Sequence, residues 1–266
     1  MLEKLGGGSG GSRPKSDVGF AADGTIRAGD AADGDCGAGG SKQWIVKFPA
    51  DTDPADIGPM EEAYAQMARA AKIDMAETRL MESEKGPGHF ATRRFDRPGE
   101  GGRIHMVSLG GLLEASQHYP SIEYSDFLEA VSAVTRDVRD VEKAFRRMVF
   151  NVLANNRDDH ARQHAFLMDE AGDWHLSPAY DLTYAKGPGG EHYMAVMGEG
   201  RYITRQHVER LASQHRLKQE WVNQVIDEVR SAIADWPQWA REAGVAHSLD
   251  EISLALAQRD KDFTSS

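Results

Sequence analysis

The chain has 266 residues, 40% hydrophobic and 27% charged, which is enough apolar material for a core under an ordinary charged surface. Its formal net charge of −11 weighs against direct nucleic-acid binding, because neutralising a phosphate backbone takes clustered Lys and Arg. The lone cysteine, Cys36, excludes an internal disulfide and fits a reducing compartment.

No apolar run approaches the roughly 20 residues that span a membrane. Met1-Leu2-Glu3-Lys4-Leu5 runs straight into glycines, without the pattern of a signal peptide. The expectation is therefore a cytoplasmic protein with no membrane contact. Residues 6–12 are Gly-Gly-Gly-Ser-Gly-Gly-Ser, either a flexible linker or a loop that covers phosphates. Residues 21–43 are rich in Gly, Ala and Asp and read as loop, with one short hairpin at Asp23-Gly24. Trp44-Ile45-Val46-Lys47-Phe48 is β-prone and Pro49 ends it; residues 51–59 read as loop. Met60, Tyr64, Met67, Ala68 and Ala71 recur at helical spacing over 60–72. Segments 78–81, 89–95 and 103–109 read as strands.

From about residue 110 the pattern turns helical. Phe145, Met148, Val149, Val152 and Leu153 form one apolar face. Short apolar runs at 164–168 and 174–176 flank Glu170-Ala171-Gly172-Asp173, a hairpin signal. Segments 206–216, 218–235 and 248–259 read as helices. The expected architecture is α+β, a protein-kinase-like fold of two lobes: a β-rich lobe over 1–98 and a helical lobe over 99–266.

The chemistry concentrates between Asn155 and Leu182. Phosphoryl transfer by kinases needs a loop Asp to accept the proton of the attacking hydroxyl, a carboxamide five residues on, and a second Asp beyond a hairpin to hold magnesium. Asp158, Gln163 and Asp181 stand in that order. Lys47 ends an apolar strand, where a kinase keeps the lysine that meets the α- and β-phosphates, and Glu61 and Glu62 open the next helix, where its carboxylate partner belongs. Each feature alone also has a plain reading: a turn Asp, a strand-edge lysine reaching for water, a Glu pair at a helix N-terminus. A competing arrangement is a metal-dependent hydrolase using Asp158, His160 and His164, since two His at i and i+4 of a helix can share a metal.

Several stretches resemble the HipA family of bacterial serine/threonine kinases, the toxins of toxin–antitoxin modules. They are Gly10-Gly11-Ser12-Arg13-Pro14-Lys15, Trp44-Ile45-Val46-Lys47-Phe48-Pro49, Arg94-Phe95-Asp96-Arg97, Asn156-Arg157-Asp158-Asp159-His160 and Leu176-Ser177-Pro178-Ala179-Tyr180-Asp181-Leu182. Ile104-His105-Met106, Ser108-Leu109-Gly110-Gly111-Leu112 and Phe150-Asn151-Val152 belong to the same set, and the likeness covers most of residues 6–236. It implies ATP and Mg2+ as cofactors, Asp158 as the base, His160 near the phosphates and Asp181 with Gln163 on the metal. Lys47 and Glu61 would form the ATP pair, Gly10 and Gly11 would cover the phosphates, and Arg94 and Phe95 would lie at the hinge near adenine. It also implies a protein substrate of the aminoacyl-tRNA synthetase class, self-phosphorylation at Ser9 or Ser12, and a helix-turn-helix antitoxin partner. Two departures stand out. Gln163 replaces the family's Asn, which leaves open a degenerate kinase-like binding module. The chain also begins almost at the glycine loop, which fits a shortened gene, an engineered fragment, or half of a split system in which a separate chain supplies the preceding part.

Overall fold

The computed structural model describes residues 13–20, 26–28, 42–84, 86–99, 102–115 and 122–265. Five strands form an antiparallel sheet: β1 (Lys15–Phe20), β2 (Ile26–Ala28), β3 (Lys42–Lys47), β4 (Thr78–Met81) and β5 (His89–Arg93), in the order β2-β1-β3-β5-β4. The period-two alternation of a strand divides this sheet by chemistry. Val18, Trp44, Val46 and Ala91 share a buried apolar face, and the Arg79 guanidinium lies 3.9 Å over the Trp44 ring. The pairs Lys15↔Lys47, Asp17↔Ile45 and Ile45↔Thr92 set the other face, and all five of these residues line one cleft.

β1 and β2 pair around Phe20↔Ile26, as the expected hairpin at Asp23-Gly24 requires, although that turn lies outside the described residues. β1 itself was not expected. Its alternation carries Ser16 and Gly19 among Val18 and Phe20, so pairing with β3 rather than its own pattern makes it a strand.

Helix α1 (Ile57–Ala70) starts one turn before the expected boundary, with Pro59 in its first turn. Proline is tolerated there because the first N–H groups of a helix have no partner in any case. α1 is buried along nearly its whole length. The Tyr64 hydroxyl donates to the Ala154 carbonyl at 2.8 Å, and its ring packs edge-on against Trp236 at 5.4 Å.

A second sheet joins β6 (His105–Ser108), β7 (Ala165–Met168) and β8 (Trp174–Leu176) in that order. The expected β7–β8 turn forms on Asp169, whose Oδ1 accepts from the backbone N–H of Ala171 and Asp173, both at 2.9 Å, with Gly172 at φ +88°. The short helix α2 (Leu109–Leu112) follows β6. Then come α3 (Tyr124–Thr135), α4 (Val138–Leu153), α5 (Arg205–Gln214), α6 (Gln219–Ala234), α7 (Trp236–Ala243) and α8 (Leu249–Thr264). One apolar core runs from Ile57 to Phe263 and joins α1 to these helices. Among the described residues no helix is long and apolar enough to cross a membrane.

Candidate active site

The alternation that buries Val46 turns Lys47 to the cleft side of β3. Its Nζ donates to Glu61 Oε1 of α1 at 3.1 Å and also to Asp181 Oδ1. Burial works against charge on Lys47, but the two carboxylates more than offset it and hold the ammonium above its ordinary pKa. Glu62, the other candidate at that helix start, pairs with Gln66 at 3.2 Å instead. Burial raises Glu61, and Asp181 adds to this, against the pull of Lys47 and Arg13.

Asp181 is placed by the segment that leads to it. The Ser177 N–H donates to the Ala165 carbonyl at 2.9 Å, the Ala179 N–H to the Asp74 carbonyl at 2.7 Å, and Arg147 Nη2 to the Ser177 carbonyl at 2.7 Å. Asp181 then turns at φ +57°, a left-handed conformation that Asp tolerates better than most residues. Its Oδ2 accepts from Gln163 Nε2 at 2.8 Å. Burial would raise this carboxyl, but Lys47 and the Gln163 hydrogen bond hold it well below the usual carboxylate range. Gln163 ends a 3-10 turn, Ala161–Gln163, that the Tyr180 hydroxyl clamps by donating to the Arg162 carbonyl at 2.6 Å.

The loop with Asp158 follows α4 through Asn155, at φ +51°. Its anchor is the next residue. Asp159 is fully buried and accepts from the Tyr124 hydroxyl at 2.6 Å, His192 Nδ1 at 2.8 Å and the Tyr193 N–H at 2.8 Å. Burial pushes Asp159 up, but these partners outweigh it and hold the carboxyl below its ordinary value. With Asp159 turned inward, Asp158 stands half-exposed in the cleft, its Oδ1 3.8 Å from His160 Nε2. Burial raises the Asp158 pKa, as do Asp181 and Asp159, against the lowering by His160 and Arg13. A carboxyl shifted toward neutral pH is better matched to accepting a proton. The His160 ring meets Tyr193 edge-on at 5.6 Å.

These groups share a cleft of 820 Å³ under the first sheet. Lys47, Asp158, His160, Gln163 and Asp181 line it, and so do Arg94 and Phe95. The Arg94 guanidinium is engaged by Asp96 at 2.8 Å and Asp17 at 3.3 Å, and Phe95 tilts against Tyr180 at 5.6 Å. Gly10, Gly11, Ser9 and Ser12 lie outside the described residues. The hydrolase arrangement fails at His164. That ring is buried, 4.2 Å from Phe127, and burial drives its pKa down to about 3, so it is a neutral core histidine. Among the described residues no group of three or more His, Cys, Asp or Glu is gathered to hold a metal.

Sequence reasoning passed over Arg13, whose Nε donates to both Asp53 oxygens at 3.0 Å and whose Nη1 donates to Glu61 at 2.7 Å. It also passed over the partners of Asp159. Neither had a local signal, because their ligands come from distant elements.

A family model for the HipA-like C-terminal domain matches residues 7–236. The Sinorhizobium fredii protein Y4dM, which carries a provisional kinase assignment, is 29% identical over 161 residues, covering 55% of this chain and 38% of its own length. Among solved structures, HipA of Shewanella oneidensis MR-1, from a toxin–antitoxin complex with HipB and operator DNA, superposes with a TM-score of 0.67 at 18% identity, covering 98% of this chain and 64% of that one. The Helicobacter pylori proinflammatory kinase CtkA superposes with a TM-score of 0.52 at 13% identity, covering 83% and 91%. At those identities the two structures speak to fold. The chain spans less than two thirds of the length of Y4dM and of HipA.

Proposed function

The chain belongs to the HipA-like C-terminal domain family, and from that membership we propose that it is an ATP-dependent serine/threonine kinase acting on a cytoplasmic protein. The observation that carries this reading is the connected line Glu61–Lys47–Asp181–Gln163, set in one cleft with Asp158. Its relatives by sequence and fold are named as kinases.

In this reading the phosphates lie along Lys47, which Glu61 keeps in place. The substrate hydroxyl attacks the γ-phosphorus while the bond to the β,γ-bridging oxygen breaks, and Asp158 takes the hydroxyl proton. His160 lies beside the phosphates, and Arg94 and Phe95 border the adenine between segments 1–98 and 99–266.

Asp181 and Gln163 fit a magnesium ion, because the carboxylate and carboxamide oxygens are the hard donors that ion takes. The amide nitrogen of Gln163 now faces Asp181, so a half turn of the amide presents its oxygen. When bound, the ion neutralises charge on the phosphoryl oxygens. The HipA neighbour was solved with HipB and its operator DNA; a helix-turn-helix antitoxin partner for this chain is a proposal on that footing, with any DNA contact made through the partner.

The test is incubation of the purified protein with labelled ATP, magnesium and a cell lysate. Label should appear on serine or threonine of a lysate protein, and Asp158→Asn should cut transfer by about 10²–10⁴-fold while retaining nucleotide binding. Binding of Mg-ATP without transfer by the wild type would make the chain a binding module instead.

A further inference from the structure

Arg13 directly follows the glycine-rich run in sequence and lines the cleft. Two acidic side chains grip it. Asp53 takes Nε with both oxygens at 3.0 Å, and Glu61 takes Nη1 at 2.7 Å. Both acids are largely buried, with side-chain exposures of 11% and 3%, whereas the Arg13 side chain keeps 25%. Asp53 is itself fixed by the Ala50 N–H at 2.8 Å.

A guanidinium offers five N–H donors in a rigid fork. Nε and Nη1 are spent on Asp53 and Glu61, while Nη2 makes no hydrogen bond among the described residues. The grip therefore fixes the plane of the fork and leaves one edge to spare. Glu61 Oε1 is also the atom that holds Lys47, so Arg13 and Lys47 stand side by side on one carboxylate oxygen. Arg13 also acts electrostatically on Asp158 and Asp181.

Charge in the cleft needs such a group. Asp158 and Asp181 line the cleft, and Asp53 and Glu61 stand behind it on Arg13 and Lys47, so four carboxylates act on a polyanion placed there. Among the described residues the cations lining the cleft are Arg13, Lys15, Lys47, Arg93, Arg94 and Arg162, and an anionic ligand settles there only where such cations answer both the carboxylates and the ligand.

We propose that Arg13 is a second phosphate-binding cation of this cleft, fixed through Nε and Nη1 by Asp53 and Glu61 and meeting the nucleotide phosphates through Nη2 beside Lys47. The inference rests on the nucleotide reading above and adds a residue to it. The alternative role is a strut that only ties the start of β1 to α1. A strut supports the fold and is indifferent to how many phosphates the ligand carries; a phosphate ligand is not.

The test measures dissociation constants of Mg-ATP and AMP by calorimetry for the wild type, Arg13→Gln and Arg13→Lys, with thermal unfolding of each protein alone. Arg13→Gln should weaken Mg-ATP about ten- to a hundredfold, the value of a charge-assisted contact, and change AMP by much less. Arg13→Lys keeps the charge without the fork and should recover part of the Mg-ATP loss. It also serves if Arg13→Gln fails to fold, in which case an Mg-ATP affinity for Arg13→Lys between one tenth of wild type and wild type, at unchanged AMP affinity, supports the role. Equal losses for Mg-ATP and AMP, or wild-type affinity in Arg13→Gln, would overturn it and leave the kinase reading standing. A wild type that binds no Mg-ATP overturns both.

Discussion

Asp159→Asn tests whether the buried carboxylate, rather than the fold around it, holds the loop that carries Asp158. Oδ2 accepts from both Tyr124 and His192, and Oδ1 accepts from the Tyr193 N–H. An Asn best keeps its oxygen on the first two donors and turns its own N–H groups toward Tyr193. One buried backbone donor is then orphaned, at about 1–3 kcal/mol, and two charge-assisted bonds become neutral, at about 1 kcal/mol each. The sum is about 3–5 kcal/mol, which for a chain of this size lowers the melting temperature by on the order of 10 °C. The carboxyl's pKa is depressed in the folded protein. Its stabilisation is therefore complete above the unfolded value of about 3.9 and is lost as pH falls through the folded value. Thermal unfolding of both proteins from pH 7 to pH 3 should show a full gap at pH 6–7 that narrows only below about pH 4. Phosphotransfer should fall with the loop's order, while Mg-ATP still stabilises the variant. A gap under about 2 °C at neutral pH would refute the reasoning, and one that closes between pH 7 and 5 would assign the effect to another group.

Lys47→Ala and Asp181→Ala should each abolish the stabilisation by Mg-ATP, which at a hundredfold excess over Kd is about 2.7 kcal/mol in the wild type; a wild-type melting shift in both variants places the nucleotide elsewhere. Gln163→Asn should lower the magnesium concentration for half-maximal phosphotransfer, because the shorter carboxamide loses less side-chain freedom on reaching the ion; an unchanged magnesium titration removes Gln163 from the metal site. Gly187→Ala should destabilise the cleft rim by about 2 kcal/mol or more, since Gly187 sits at φ +69° and a Cβ there would lie 2.0 Å from the Glu191 carbonyl oxygen and 2.7 Å from Arg157 Cβ. Wild-type melting of that variant would mean that the turn shifts without cost.

Much of this protein was legible locally. The strand alternation of Trp44-Ile45-Val46-Lys47 already set Lys47 opposite the buried Val46, and the turn chemistry of residues 170–173 already made the β7–β8 hairpin, because both depend on neighbours in the chain. The order of Asp158, Gln163 and Asp181 likewise survives translation into sequence, since one loop and one hairpin separate them. Other features had no local signature. His164 falls four residues after His160 and suggested a metal pair, but its ring packs on Phe127, and only the placement of α3 reveals that. Glu61 and Glu62 are equivalent in sequence; the rotation of α1 against β3 selects Glu61. Asp159 resembles any loop acid until Tyr124, 35 positions earlier, and His192, 33 positions later, close on it. Lys47 and Asp181 are 134 positions apart. Residue type and period determine which groups are available and which way each faces its own element. Which groups meet is decided by how the elements pack, since a hydrogen bond is set by distance in space and the pattern around either partner carries no record of the other.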